Sequence, residues 1–328
     1  MLTKIFSNRK EKFKMVEIFW TQEDGSTVKV DEPCRNCWIK MTAPTEDELN
    51  RIAGIYGIEF DDIRDALDEE ESSRIEVEET YTMVIVDVPT IEERNGKNRY
   101  VTIPLGIIIA KDTIITVCLE NNDVLNTSAW RKSRRFSTHL KTRFLLQILF
   151  QNAQLYLRSL RVINKQSEEI EKNLQESTEN SALIDMMELG KSLLYFMTSL
   201  KAMQNVLQKV LNTSSIKKYE DDRELLDEVM VECRQALEMA EIYNGILNGM
   251  MDAYASVISN NMNVVMKVLA VATIVLSIPN IVFGAYGMNL AIEELPLAQL
   301  PHAFYIIVAL SILFSVLVLW YFNHKKMH

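Results

Sequence analysis

Polar side chains recur at helical spacing along residues 252–284, within a part of the chain that is otherwise apolar. Projected at about 100° per residue, their positions fall within about 60° of Ser277. The shared face holds Asp252, Ser256, Ser259, Asn263, Met266, Ala270, Thr273, Ser277, Asn280 and Gly284. Polar residues are costly against lipid, so this face is expected to meet other protein or water. Two interpretations stay open: the polar residues hold helices together, or they line a water-filled path, which their continuity down to Asp252 favours.

A four-residue polar break, Tyr286–Asn289, follows this face. Asn289 lies about two and a half helical turns beyond Asn280, so a continuing helix would point it away from the polar face. Pro279 can loosen the helix and Gly287 can end it. We therefore predict that the helix stops at Gly287 and that a turn brings the Asn289 carboxamide over the helix axis. A ring of such amide oxygens suits the water shell of Mg²⁺, which gives up its waters reluctantly.

Two further pairs of side chains each have a functional and a plain interpretation. Met266 and Leu269 put bulk at the cytoplasmic edge of the polar face, where a ring of them could close a pore by dewetting. Coiled-coil packing accounts for these two residues almost equally well. Glu293 and Glu294 follow the polar break and could concentrate cations there, or they could simply be solvated.

Two apolar runs on either side of the break indicate a membrane protein. Val268–Ala285 has no ionisable residue, and Ala303–Phe322 ends in aromatic residues that suit the membrane interface. Both runs are about long enough to cross the hydrocarbon of a bilayer. Lys267 precedes the first run and Lys325-Lys326 follow the second, whereas the loop between the runs has no Lys or Arg. The positive-inside rule then places both termini in the cytoplasm and the loop outside the cell membrane.

Composition argues against several other classes of protein. The net charge is −10, which disfavours a nucleic-acid partner. Four cysteines are too few for a disulfide framework, and without a secretory pattern the N-terminal part is expected in the reducing cytoplasm. The Cys34-x-x-Cys37 pair has no second Cys or His pair near it, so a zinc site is not expected. No catalytic set or phosphate-binding glycine motif occurs, so we expect a passive transporter rather than an enzyme.

Up to residue 136 the pattern predicts a cytoplasmic α/β domain with a mixed sheet. Short β-branched runs predict strands, and the capping pattern Thr45-x-x-Glu48 predicts the start of a helix. The predicted strands are Val16–Trp20, Thr27–Val30, Cys37–Thr42, Ile75–Val88, Tyr100–Ala110 and Thr113–Leu119. The predicted helices are Thr45–Tyr56 and Glu59–Leu67.

From residue 137 onwards glycine and proline nearly vanish, which favours three long helices. Residues 137–216 are predicted to form a cytoplasmic helical hairpin. The third helix, a stalk over residues 217–285, runs into the first apolar run and would be about 100 Å long. A small domain cannot bury such a rod, so we expect partner rods in an oligomer. The remaining segments are an external loop at 286–302, a second span at 303–322 and a basic cytoplasmic tail at 323–328.

The chain resembles the CorA-type magnesium channels. The resemblance lies in the Gly-Met-Asn sequence at the end of a first span, a second span with a basic tail, and a long uninterrupted helix before both. It implies an α+β membrane protein that assembles as a funnel-shaped homopentamer, with the first span lining the pore. By position it also implies a selectivity filter, a hydrophobic gate and an acidic ring. The implied filter is Gly287, Met288 and Asn289. The implied gate is Met266 and Leu269, and the implied acidic ring is formed by Asp252.

The resemblance further implies regulation by intracellular Mg²⁺, which would be both the transported and the regulatory ion. In such channels the regulatory ion lies between neighbouring cytoplasmic domains. By position its ligands here are Asp65 and Glu228, with Asp227 close. The expected partners are other copies of the chain, the lipid bilayer and divalent cations. Two rival functions remain: a transporter of Zn²⁺, Co²⁺ or Ni²⁺, and a non-transporting sensor or scaffold anchored in the membrane.

Overall fold

The computed structural model of the chain describes residues 16–22, 25–94, 96–126, 137–176, 180–213, 220–288, 296–298 and 300–324. The chain divides into two compact units, Met1–Met251 and Asp252–His328.

A seven-stranded mixed sheet forms the centre of the first unit. The strands are β1 (Val16–Thr21), β2 (Thr27–Val30), β3 (Cys37–Thr42), β4 (Arg74–Val77), β5 (Tyr81–Arg94), β6 (Lys97–Ala110) and β7 (Thr113–Cys118). Their order in the sheet is β2-β1-β3-β7-β6-β5-β4. The β3–β7 pair is parallel and the other five pairs are antiparallel. The predicted mixed sheet is therefore confirmed.

One predicted strand, Ile75–Val88, is wrong. The structure breaks it into β4 and β5, which turn back on each other so that Arg74 pairs with Ile85. The turn is closed by a 2.9 Å hydrogen bond from the Glu78 backbone N–H to the Tyr81 carbonyl. Alternating charged and β-branched residues on both sides hide this turn, because it contains no glycine or proline to mark it.

Two short helices cover one face of the sheet. They are α1 (Glu46–Tyr56) and α2 (Phe60–Asp65). The predicted capping box is present, since the Thr45 side chain accepts from the Glu48 N–H and the Glu48 side chain accepts from the Thr45 N–H. Gly57 ends α1 at a φ of +67°, a left-handed conformation in which a side chain is strained. The second helix is shorter than predicted, because residues 66–68 continue as tight turns.

Long helices cover the opposite face. These are α3 (Lys141–Glu176) and α4 (Asn180–Asn212), which both lie within the range 137–216 where a helical hairpin was predicted. Alternation along β3 shows the two layers: Ile39 packs in the cluster with α1 and α2, whereas its neighbour Trp38 lies 5.1 Å from Phe144 of α3, ring centre to ring centre. The first unit is thus a sheet between two helical layers, whose core residues alternate between the two faces.

The next helix, α5, covers Glu220–Tyr286 without interruption and so extends through both units. Its first turns are tied to α3 by an ion pair, in which Arg143 Nε lies 3.1 Å from the Asp222 carboxylate, itself only 1% exposed. Further along, Lys201 of α4 pairs with Glu241 at 3.1 Å. The last helix is α6 (Ala303–His324). The single long helix predicted to enter the first apolar run is therefore confirmed.

Candidate ion pathway along the first apolar helix

Helices α5 and α6 are long and apolar enough to cross a membrane by length and composition. Many of their apolar side chains are solvent-exposed in the single chain; for example, Leu276 is 68% exposed and Phe304 is 71% exposed. Exposed apolar surface on this scale requires cover by lipid or by other protein. The apolar part of α5 and the helix α6 are therefore the candidate membrane spans, at the positions that the sequence predicted.

The face of α5 that meets α6 lies opposite the polar face. Within residues 271–286 of α5, one residue of the polar face is partly buried, Ser277, together with Val271, Val275, Ile278, Pro279, Val282 and Tyr286. The last six recur at helical spacing. These positions project about 100–180° away from Ser277. On α6 the buried residues are Ser311 and Ser315, and the Ser315 hydroxyl lies 3.3 Å from the Val275 carbonyl oxygen. Because α6 occupies the far side of α5, it leaves the polar face available to water or to another copy of the chain.

Three hydroxyls on the polar face, those of Ser256, Thr273 and Ser277, are already satisfied as donors. Thr273 donates to the Leu269 carbonyl at 2.8 Å, Ser277 donates to the Thr273 carbonyl at 2.7 Å, and Ser256 donates to the Asp252 carbonyl at 3.0 Å. Such bonds back to the preceding turn let a hydroxyl sit in an apolar helix without another donor or acceptor. They also leave the oxygen lone pairs pointing away from the helix, where a hydrated cation could use them as acceptors.

The other predicted pore residues are exposed too. Asp252, Asn263, Asn280 and Gly284 are all exposed in the single chain. Met266 and Leu269, the predicted gate, are 58% and 59% exposed. One chain alone supplies only one wall of any pathway, so the pore-lining and gating roles stay predictions.

The end of α5 agrees with the sequence analysis. The helix ends at Tyr286, the Gly287 N–H donates to the Phe283 carbonyl at 2.9 Å, and the Met288 N–H reaches the Ala285 carbonyl at 3.4 Å. Gly287 acts here through close approach: a Cβ added to it would lie 3.2 Å from the Phe283 oxygen. Asn289, Glu293 and Glu294 lie outside the described residues.

One contact of the polar break was not predicted. The Tyr286 hydroxyl donates to the backbone carbonyl of Pro296, beyond the break. An aromatic ring at the end of an apolar run signals an interfacial position, but its partner cannot be read from the sequence. The bond holds residues on both sides of the Gly-Met-Asn sequence close to each other.

The predicted regulatory acids lie in two different settings. The Asp65 carboxylate is 2.8 Å from Arg74 Nη2, and the same guanidinium also pairs with Glu71 and Glu76. Asp227 and Glu228 are exposed on α5. Within the described parts of one chain, no group of three or more His, Cys, Asp or Glu side chains is placed to hold a metal ion. A regulatory ion at these acids would therefore need ligands from a second chain, as the resemblance implies.

Cys34 and Cys37 are the pair that the sequence analysis considered as a zinc site. Cys34 is exposed, Cys37 is buried, and both are free thiols. Burial raises the pKa of the Cys34 thiol, and the neighbouring Cys37 adds to this shift.

A model of the family described as CorA-like Mg²⁺ transporter protein matches residues 35–326. The chain belongs to the CorA family. The cobalt/magnesium transport protein CorA of Methanocaldococcus jannaschii is 29% identical over 95% of this chain and 99% of its own length. The protein of the same name from Thermotoga maritima is 20% identical over 94% of this chain and 88% of its own length.

The CorA fold is also shown by comparison of structures. The complete CorA magnesium transporter of Methanocaldococcus jannaschii superposes with a TM-score of 0.81 at 25% identity, covering 96% of this chain and 99% of the other. The family recognised from the Gly-Met-Asn sequence is therefore confirmed. The mixed sheet, the long helix and the two apolar helices are those of a CorA-type membrane transporter of divalent metal ions.

Proposed function

We propose that this protein is a homopentameric channel for passive inward flow of Mg²⁺, with the polar face of α5 lining its pore. The observation that carries the proposal is that α6 covers the side of α5 opposite this face. An arrangement with α5 inside and α6 outside brings the polar faces of several copies together around an axis. It also presents the apolar surface of α6 to lipid.

Assembly is supported by surface that a single chain leaves bare. In the first unit, α5 exposes Val231, Ile242 and Ile246 at 50%, 59% and 47%. Apolar residues at such spacing along a long helix are typical of contacts between helices. Five copies follow from the resemblance to CorA-type channels, and the same assembly would supply the second set of acids for a regulatory Mg²⁺.

The filter is proposed at Gly287, Met288 and Asn289, where α5 ends. An uncharged ring of carboxamide and carbonyl oxygens can bind a hydrated Mg²⁺ through its waters. Glu293 and Glu294 would raise the local cation concentration outside. A divalent ion entering down about 100 mV gains roughly 4.6 kcal/mol, twice the value for one charge, so no nucleotide hydrolysis is required.

The test is Mg²⁺ entry into liposomes that contain the purified protein, wild type against Asn289→Ala. Loss of the carboxamide ring should reduce the initial rate by at least about tenfold, which corresponds to about 1.4 kcal/mol at the filter. The matched control is Asn261→Ala, an asparagine on α5 that projects about 160° away from Ser277. It should transport normally.

Two results would overturn the proposal. Normal Mg²⁺ entry through Asn289→Ala, with assembly intact by size-exclusion chromatography, would refute the filter assignment. No entry through the wild-type protein would instead favour a membrane-anchored sensor or scaffold.

A second cargo, Co²⁺, is also proposed. It is favoured by the names of two relatives that align over nearly the whole chain, both cobalt/magnesium transport proteins. The test is competition between the two ions in the same liposomes. Co²⁺ should slow Mg²⁺ entry and should itself enter the liposomes. Zn²⁺ and Ni²⁺ serve as comparison ions, and faster entry of either would reassign the main substrate.

A further inference from the structure

Pro279 removes one backbone donor from the middle of the first apolar span. It lies inside α5 and has no N–H. The carbonyl that such an N–H would meet is that of Val275, four residues earlier. A backbone carbonyl without a donor is costly in an apolar environment, so another group is expected to supply one.

Ser315 of α6 supplies that donor. Its hydroxyl oxygen lies 3.3 Å from the Val275 carbonyl oxygen, and the side chain is only 8% exposed. The same hydroxyl lies 3.0 Å from the carbonyl of Ser311, one turn earlier in its own helix. A hydroxyl carries a single proton, so it can be shared between the two carbonyls or given to either one.

The position of this bond relates it to the polar face. Val275 projects about 160° away from Ser277, and it stands one turn before Pro279. The hydrogen bond therefore holds α5 from the side away from the polar face, at the point where the backbone ladder is interrupted. Asn280 and Gly284 lie beyond this point, so their placement depends on how far the helix bends at Pro279.

We propose that Ser315 is a positioning residue for the outer half of the pore. Its bond to Val275 sets the bend at Pro279 and thereby the placement of Asn280 and Gly284. Because the Ser311 carbonyl offers a second acceptor, the bond to Val275 can be released without leaving the hydroxyl proton unpaired. The consequence for transport rests on the proposed function, whereas the hydrogen bond and its coupling to Pro279 do not.

The coupling is tested by a double-mutant cycle on the full-length protein in lipid nanodiscs. Ser315→Ala should lower the thermal midpoint by about 1–3 °C, the shift that corresponds to one interhelical hydrogen bond in a membrane. Pro279→Ala restores the backbone donor to Val275, so adding Ser315→Ala in that background should cause no further fall. Ser315→Thr keeps the hydroxyl and should retain the wild-type midpoint.

Ser311→Ala is the matched control. The Ser311 hydroxyl bonds the Val308 carbonyl of its own helix at 2.9 Å, so its loss should leave the midpoint unchanged. An equal fall for Ser315→Ala with and without Pro279, or an equal fall for Ser311→Ala and Ser315→Ala, would overturn the inference.

The role in transport has its own readout. In liposomes, Ser315→Ala should slow the initial Mg²⁺ entry by about threefold, the factor that matches one such hydrogen bond. Ser315→Thr and Ser311→Ala should both transport at the wild-type rate. Unchanged entry through Ser315→Ala would refute the positioning role even if the thermal cycle shows the bond. Absence of entry through the wild-type protein would refute the proposed function and leave the thermal cycle to decide the hydrogen bond.

Discussion

Asp87 is an acid within the mixed sheet of the first unit. It lies on β5, and burial raises the pKa of its carboxyl, although the hydroxyls of Ser199 and Ser73 partly oppose this shift. The backbone around it is held from the α3 side, since Asn152 and Tyr156 donate to the Asp87 carbonyl at 2.8 and 3.1 Å. A charged carboxylate in this position weakens the fold, because its protonated form is the better matched to the site.

We therefore predict that Asp87→Asn stabilises the protein at neutral pH. A folded-state pKa above the unfolded value means that the native state binds more protons between the two values. The stability that Asp87 contributes is thus full below its unfolded pKa and is lost as pH rises through the folded pKa. The thermal midpoint of Asp87→Asn should exceed that of wild type at pH 7, and the difference should shrink towards pH 4.

Glu92→Gln is the control for this prediction, because it neutralises an exposed acid on the same strand. Its effect on the midpoint should be small at both pH values. A lower midpoint for Asp87→Asn at pH 7 would show that the carboxylate is stabilising.

At the scale of residues, sequence patterns found the motif but not its local partners. The Gly-Met-Asn sequence was recognisable, because glycine is one of the few residue types that commonly end a helix. It is followed two residues later by the side-chain carboxamide of Asn289. The pairing of Arg74 with Asp65, Glu71 and Glu76 was not, since it depends on a turn between β4 and β5 that no glycine or proline marks. The contact between Ser315 and Val275 depends on how two apolar helices are aligned, and apolar sequences carry little information about alignment.

The end of helix α5 is the element whose shape matters most for the proposed filter. A Cβ at position 287 would lie only 3.2 Å from the Phe283 carbonyl oxygen. Because glycine has no Cβ, Gly287 lets the last turn close without this contact. With such a Cβ, the backbone at Phe283 or Gly287 would have to shift by a few tenths of an ångström.

Gly287→Ala is accordingly predicted to slow Mg²⁺ entry by about three- to tenfold, equivalent to about 0.6–1.4 kcal/mol. The thermal midpoint should change little, because only the end of the helix moves. Gly249→Ala is the matched control, since a Cβ at that helical glycine meets nothing within 4 Å. If both variants transport Mg²⁺ at the wild-type rate, the close approach at Gly287 does not affect transport.

Elements were predicted best where one strong pattern determines them. The capping box at Thr45 and the long apolar periodicity of α5 both lie where the sequence indicated. Strand bounds were less accurate: β5 and β6 pair over their full lengths up to Arg94 and Lys97. The residues next to the hairpin turn are polar and exposed. The alternation of apolar and polar residues that predicts a strand therefore stops before the strand ends.

At the scale of the whole molecule, the acids around Arg74 bear on the proposed regulation by Mg²⁺. Asp65, Glu71 and Glu76 share one guanidinium, which leaves an excess of negative charge on this part of the surface. A Mg²⁺ ion held between Asp65 of one chain and Glu228 of another would add the missing positive charge. Without that ion, like charges on neighbouring chains would repel each other.

Joint replacement, Asp65→Ala with Glu228→Ala, should therefore weaken inhibition by internal Mg²⁺. The Mg²⁺ concentration for half-inhibition should rise by about tenfold, because affinity for such ions depends on the charge count of the ligands. It is measured in liposomes loaded with increasing Mg²⁺. Asp61→Ala removes an exposed acid from the same short helix and should leave the inhibition curve in place. An unchanged curve for the double variant would place the sensing residues elsewhere.

The membrane class and the family followed from sequence because twenty-residue apolar runs and a rare tripeptide are strong signals. The number of copies does not follow from one chain. Its exposed surfaces, such as Ile242 and Ile246 on α5, indicate that partners are needed but do not count them. The proposed regulatory site depends on that count, because its ligands come from two chains.

The inward hydrogen bonds of Thr273 and Ser277 have a consequence for the sign of the ions admitted. Each hydroxyl gives its proton to a carbonyl of the preceding turn and turns the negative end of its dipole outward. At these two positions a chloride ion entering between such faces would meet oxygen lone pairs rather than a hydroxyl proton. The residues from Val268 to Ala285 include no Asp or Glu. In a pore lined by α5 as proposed, these two hydroxyls would therefore disfavour anions through the direction of their dipoles, without any fixed charge.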